Sequence, residues 1–242
     1  MPHGTPDWGH EGPKETTFGL DDLGEHAVRM GSPHLWDRRG DVMAMADFRD
    51  GLGQAQIQSV GVGGTVGLST GHTRTGAYSV VFGGDGVNVT DQYAFVELAL
   101  PAPSKVGIEF SFSFESLDGV WEAYLYWTDA AREYQARVRF RPAGLLRDVS
   151  WFDGGYHPFN TGLFLNQRDR PIHTMKMVVD LLNHEYVRFI INNHSYSLIG
   201  NYAMDVAPSI QSYLWAWGIY HRQVGDVSDV YLDRLIVTQN EP

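Results

Sequence analysis

The chain has 242 residues, 18 Lys and Arg against 29 Asp and Glu, a formal net charge of −11 and no cysteine. The missing cysteine excludes a disulfide scaffold, a thiolate metal site and a cysteine nucleophile. The acidity argues against a nucleic-acid partner, which needs a basic face, and 13% aromatics with 43% hydrophobic residues exclude a disordered chain.

Residues 1–46 read as an N-terminal arm. They hold His3, His10, His26 and His34, three prolines between Pro2 and Pro13, and no alternating apolar run. One short helix is predicted from Leu20 to Met30, capped by Asp21 or Asp22 and ended by Gly31 with Pro33. Met1–Trp8 has neither the basic n-region nor the apolar h-region of a secretory signal. A protein made in the cytoplasm is therefore expected, with a virion or another extracellular particle as a further location. No run approaches the roughly 18 apolar residues of a membrane helix, so no membrane partner is expected. The histidines lack ligand spacing and read as solvated; no metal or cofactor is expected.

From residue 47 to 242 a single β domain is predicted. Gln56–Val60 alternates, and Gly61–Gly64 and Gly71–Gly76 break the chain. Ala77–Phe82 is a strand closed by the turn run Gly83-Gly84-Asp85-Gly86. Tyr93–Leu100 follows. In Val106–Glu115, Ile108, Phe110, Phe112 and Phe114 face one way and Glu109, Ser111, Ser113 and Glu115 the other, which predicts one dry and one wet face. Trp121–Trp127, Tyr134–Arg141 and Arg147–Phe152 come next, with Arg137, Arg139 and Arg141 on a solvated face. Thr174–Leu181, Tyr186–Asn192 and Ser195–Ile199 then form strands around a turn at Asn192-Asn193 or His194, since Asn tolerates positive φ. Ser212–Tyr220 and Asp229–Gln239 finish the chain. About twelve strands with hardly a helix predict an all-β, two-sheet antiparallel jelly-roll sandwich carrying an extended N-terminal arm.

Two stretches resemble a known superfamily. Asp47–Gly51, Leu68-Ser69-Thr70 and Thr75–Val80 resemble the opening of many jelly-roll modules. His173–Asp180 with Lys176 and Asp180, the hairpin Tyr186–Asn192 with Asn at its turn, and the closing Val230–Val237 resemble concanavalin A-like, laminin-G-like sandwiches. The resemblance spans roughly residues 47–239. It implies the fold and leaves the activity open, because lectins, glycosidases and structural modules all use it.

Enzymes of this fold carry carboxylates alternating on one strand, and no such motif is present. Glu109 and Glu115 share a face, but at about 3.3 Å per residue they lie roughly 20 Å apart, beyond the ~5–10 Å of glycosidases. Asp226, Asp229 and Asp233 read as solvated loop carboxylates rather than a calcium cage. Trp121–Tyr156 and Tyr213–Tyr220 are two aromatic groups. In the first, Leu125 and Trp127 suit the core, which leaves Tyr124 and Tyr126 for an outer or concave face. Trp215 and Trp217 are expected in the core.

Two functions follow as expectations. The first is a non-catalytic structural or interaction protein, such as a virion decoration or tail protein. Residues 1–46 would hold it to other protein subunits, with Leu23, Trp36, Arg38 and Arg39 as docking residues. The alternative is a carbohydrate-binding module that stacks glycans on Tyr124, Tyr126, Trp151 and Tyr156. A glycoside hydrolase-like enzyme comes third, and no enzymatic activity is expected.

Overall fold

The computed structural model describes residues 40–73, 77–99, 101, 104–114, 119–142, 148–192 and 194–242, with the backbone alone at 168–172. In chain order the strands are β1 (Asp41–Ala46), β2 (Gln56–Val60), β3 (Gly64–Ser69), β4 (Ser79–Gly84), β5 (Thr90–Ala99), β6 (Lys105–Phe114), β7 (Val120–Asp129) and β8 (Arg132–Arg141). They continue with β9 (Asp148–Phe152), β10 (Tyr156–Thr161), β11 (Arg168–Asp180), β12 (Glu185–Ile191), β13 (His194–Ser197), β14 (Met204–Pro208), β15 (Ser212–Arg222) and β16 (Val230–Gln239).

They form two antiparallel eight-stranded sheets. One runs β13-β12-β11-β6-β16-β4-β3, with β1 also on β16. The other runs β10-β9-β8-β7-β15-β5-β2, with β14 beside β8. The expected two-sheet sandwich is therefore present. Among the described residues it has sixteen strands rather than about twelve. The additional ones are β1, β3, β10 and β14. Gly64 and Gly67 weaken the strand signal of β3; Pro158 sits in β10 and Pro208 ends β14, both next to register shifts. β1 lies within the stretch read as arm, yet pairs with β16 from Asp41 to Ala46. Arg234, at φ 54°, marks the bulge where β16 changes its neighbour from β4 to β1. The helix expected at 20–30 lies outside the described residues. Among those described, no helix is long and apolar enough to cross a membrane.

Strand alternation builds the core. Trp121, Ala123, Leu125 and Trp127 of β7 face inward beside Val138 and Phe140 of β8. They meet Phe82, Phe110, Phe112 and Leu232 of the opposite sheet. The Trp121 ring lies 5.2 Å from Phe112 and 5.6 Å from Phe82, and its Nε1 donates to the Ser113 carbonyl at 2.8 Å. Buried aromatics supply much of the apolar area that holds such a sandwich together.

The expected wet face of β6 is not wet: Glu109, Ser111 and Ser113 are all buried. β6 is central, between β11 and β16, and the C-terminal residues turn back over it. Glu241 donates its N–H to the Lys105 carbonyl at 3.1 Å, and its buried carboxylate pairs with Lys176 at 2.7 Å and with Arg188. Asn192 makes the β12–β13 turn at φ 51°, as its side chain predicts.

Gly218 faces the core from β15. A Cβ there would stand 2.5 Å from Leu232 Cδ1 and 3.3 Å from Phe110 Cδ1. Gly218→Ala is expected to destabilise the fold by about 1–3 kcal/mol through overpacking. Chemical denaturation measures this; an unchanged midpoint would contradict it.

Candidate functional site

The absence of side-chain bulk at Ala216 and Gly218 sets the character of the other face of β15. Leu214, Ala216 and Gly218 turn to the core, so Tyr213, Trp215 and Trp217 turn outward. This corrects the expectation that Trp215 and Trp217 are core. Both are half-buried on the outer face of the sheet. Their antiparallel neighbours complete a band: Trp217 lies opposite Tyr124 of β7 and Phe95 of β5, and Trp215 opposite Tyr126. Ring centroids follow one another at 5.0 Å (Tyr213–Trp215), 5.6 Å (Trp215–Trp217) and 5.1 Å (Trp217–Tyr93). Tyr126 lies 5.7 Å from Trp215, and Tyr124 5.4 Å from Trp217. Each ring fixes the next, so the band is pre-formed.

Tyr124 and Tyr126 thus face outward as expected. Tyr124 is buried beneath the Arg137 guanidinium, 4.3 Å from its centroid. Tyr126 is half-buried and donates its hydroxyl to Glu133. Tyr156 lies on the same side at the polar end of the band. Trp151 does not. It sits opposite Val138 and turns to the core side, stacked on His157 at 4.9 Å and edge-on to Tyr186 at 5.6 Å. Leu23, Trp36, Arg38 and Arg39 lie outside the described residues.

Beyond Tyr124 the band ends in charge. Glu122, two residues earlier on β7, is fully buried and accepts the Tyr156 hydroxyl. His221 Nδ1 meets Asp91 Oδ1 at 2.8 Å, and its Nε2 lies 3.5 Å from Glu122 Oε2. Arg137 Nε lies 3.9 Å from Glu122 Oε1. Register explains the meeting: Asp91 and His221 are direct partners across β5 and β15, and Glu122 sits on β7 across from Ile219. Arg139 lies 3.6 Å over the Tyr156 ring. Asp91, Glu122, Arg139, Arg141, Tyr156 and His221 line an open pocket of about 450 Å³. Arg139 and Arg141 therefore line a pocket, with Arg137 against Glu122 beside it, rather than a plain solvated face.

His221 is pushed up to about 9. Burial works against its charge, but hydrogen bonds to Asp91 and Glu122 and their negative charges outweigh it. The hydrogen bond from His221 in turn holds the Asp91 carboxyl below its ordinary value. Burial, then Glu122, raises the Tyr156 hydroxyl, so it remains a donor at neutral pH. Because the folded pKa of His221 exceeds its unfolded value, its stabilisation is complete below about pH 6.5. It is lost as pH rises through about 9. The expected loss is about 2 kcal/mol, discounted because Asp91 is part-exposed. Melting curves across this range should show it, and His221→Asn should flatten the slope. An equal slope in both proteins would contradict it.

Among the described residues no group of three or more His, Asp or Glu could hold a metal ion. Asp226 and Asp233 are not solvated as expected; both are buried. Asp226 accepts the Tyr220 hydroxyl and faces Arg222 at 3.4 Å.

No protein-family model matches the chain, and no curated protein matches its sequence. Solved structures do. The carbohydrate recognition domain of Emp47p is 8% identical with a TM-score of 0.52, covering 83% of this chain and 94% of that one. The potassium-bound carbohydrate recognition domain of Emp46p is 14% identical with a TM-score of 0.50, covering 84% and 96%. The fold is the concanavalin A-like sandwich. The resemblance read from His173–Asp180, Tyr186–Asn192 and Val230–Val237 is thereby shown at the level of fold. In this chain those segments are β11, β12 and β16, all in the sheet opposite the aromatic band.

Proposed function

We propose that the chain is a carbohydrate-binding module that grips glycans on the outer face of the β10–β2 sheet and does not cleave them. The single observation that carries this reading is the continuous outward band of Tyr93, Phe95, Tyr126, Tyr213, Trp215 and Trp217. Sugar rings present flat C–H faces that pack on aromatic rings, and hydroxyls that need nearby polar partners. The band offers the first, and Gln135, Glu133 and Arg137 along its margin offer the second. The two solved domains named above are described as carbohydrate recognition domains; a shared fold does not assign a ligand, so the band supports the reading here.

The non-catalytic part rests on the carboxylates. A glycosidase needs two that flank the scissile bond, one to protonate and one to attack or activate water. Asp91 and Glu122 instead share one imidazole between them, and Glu122 also holds the Tyr156 hydroxyl. Their hydrogen-bonding capacity is directed at the protein.

A screen of the chain against immobilised oligosaccharides tests the reading. Binding that is lost in Trp215→Ala is expected. Failure to retain any oligosaccharide would overturn it.

A further inference from the structure

The pocket at the polar end of the band has a charge balance that the neutral face does not require. Among the described residues, Arg139, Arg141 and His221 line it with Asp91 and Glu122, and Arg137 and Asp148 stand beside them. His221 serves Asp91 and Glu122, and Arg137 lies against Glu122. Asp148 is buried opposite Arg141 in the register. One cation is in surplus, and neither Arg139 nor Arg141 forms an ion pair with a described residue. The Nε of Arg139 is buried with no hydrogen-bond partner. Burial, and then the like charge of Arg141, hold the Arg139 pKa below its usual value. A buried guanidinium donor without an acceptor, beside a second unpaired guanidinium, is costly unless something supplies oxygen atoms. This occurs in a chain of net charge −11, where a local excess of positive charge runs against the whole.

We propose that this pocket is a subsite for an anionic sugar residue, one bearing a carboxylate or a sulfate, held by Arg139 and Arg141. The inference rests on the carbohydrate reading and extends it to a substrate class. Arginine presents N–H groups in a planar fork that matches the paired oxygens of a carboxylate or sulfate. The aromatic band then takes the rest of the glycan, with the charged residue at its end.

The test is titration calorimetry of the full chain with neutral, uronate and sulfated oligosaccharides. Methyl-esterified uronates serve as probes with the same skeleton and no charge. At low ionic strength a charged probe is expected to bind at least about tenfold more tightly than its neutral match, with the advantage shrinking as salt is added. Preference for uronate over sulfate, or the reverse, identifies the substituent. Arg141→Gln, which leaves Tyr156 covered by Arg139, should collapse the charged-to-neutral ratio toward one. An unchanged melting temperature shows that the variant is folded. Equal affinity for uronate and methyl ester, or an unchanged ratio in Arg141→Gln, would overturn the anionic subsite while leaving the aromatic face standing. If no oligosaccharide of any charge binds, the carbohydrate reading itself falls.

Discussion

Replacing Arg222 with methionine is expected to cost about 4 kcal/mol of stability, the largest single effect outside the aromatic core. Arg222 ends β15 with its side chain fully buried. It donates to the carbonyls of Phe82, Ser228 and Asp226 at 2.8, 2.9 and 2.8 Å, and lies 3.4 Å from Gln92 Oε1. Phe82 belongs to β4 in the opposite sheet, so one side chain ties the two layers together at this end. Methionine fills much of the same volume, which separates the polar loss from a cavity effect. What remains is the Asp226 carboxylate, buried with its cation removed, and three carbonyls without donors. A charge left buried and unpaired is the expensive outcome, more so than deleting both partners. For a domain of this size the melting temperature should fall by about 10 °C. Adding Asp226→Asn to Arg222→Met should recover part of the loss, because the stranded charge is gone. A single variant within about 1 kcal/mol of the parent would contradict this account.

Trp215→Ala is expected to weaken glycan binding about 30-fold, equivalent to about 2 kcal/mol. Trp215 is the centre of the band: Tyr213, Tyr126 and Trp217 all pack against it. Its removal takes away stacking area and also the support that fixes three other rings. Trp215→Phe keeps a ring in place and should lose no more than about fivefold. The core side of β15 is filled by Leu214 and Ala216, so the fold should tolerate both changes. Titration of each variant with the best-binding oligosaccharide measures the effect. Equal loss in both variants would point to a structural disturbance rather than to stacking.

The sequence carried the layer architecture because alternation reports directly on which side of a strand is dry. Ile108, Phe110, Phe112 and Phe114 announced β6, and the split of Leu125 and Trp127 from Tyr124 and Tyr126 placed both pairs correctly. The same rule misplaced Trp215 and Trp217, because large aromatics were assigned inward by type. Their partners on the strand are Leu214, Ala216 and Gly218. Opposite Gly218 stand Leu232 and Phe110, bulky residues that occupy the space a tryptophan would need. Volume matching across the layers decided the direction, and that information lies in another strand. β6 shows the converse: Glu109 and Ser111 alternate like a wet face, but Glu241, more than a hundred residues later, folds back nearby.

The polar pocket was not legible from spacing. Asp91 and His221 lie 130 residues apart in sequence and become cross-strand partners only through the β5–β15 register. Glu122 joins them because β7 is the other neighbour of β15. Glu122 carries no motif of its own, and Arg137, Arg139 and Arg141 read as one solvated row. Only the sheet order unites the two. Tyr156 was singled out for its aromatic ring; its hydrogen bond to Glu122 is what places it at the site.

The claim that the outer face of the β10–β2 sheet is the carbohydrate surface can be tested in one spectrum. The chain has seven tryptophans, each with an indole N–H that reports on its own surroundings. Two of them, Trp121 and Trp127, are fully buried between the sheets, whereas Trp215 and Trp217 lie in the band. On titration with a binding oligosaccharide, the indole signals of Trp215 and Trp217 should move progressively while those of Trp121 and Trp127 stay in place. Saturable binding with no movement of Trp215 or Trp217 would contradict the assignment of this face.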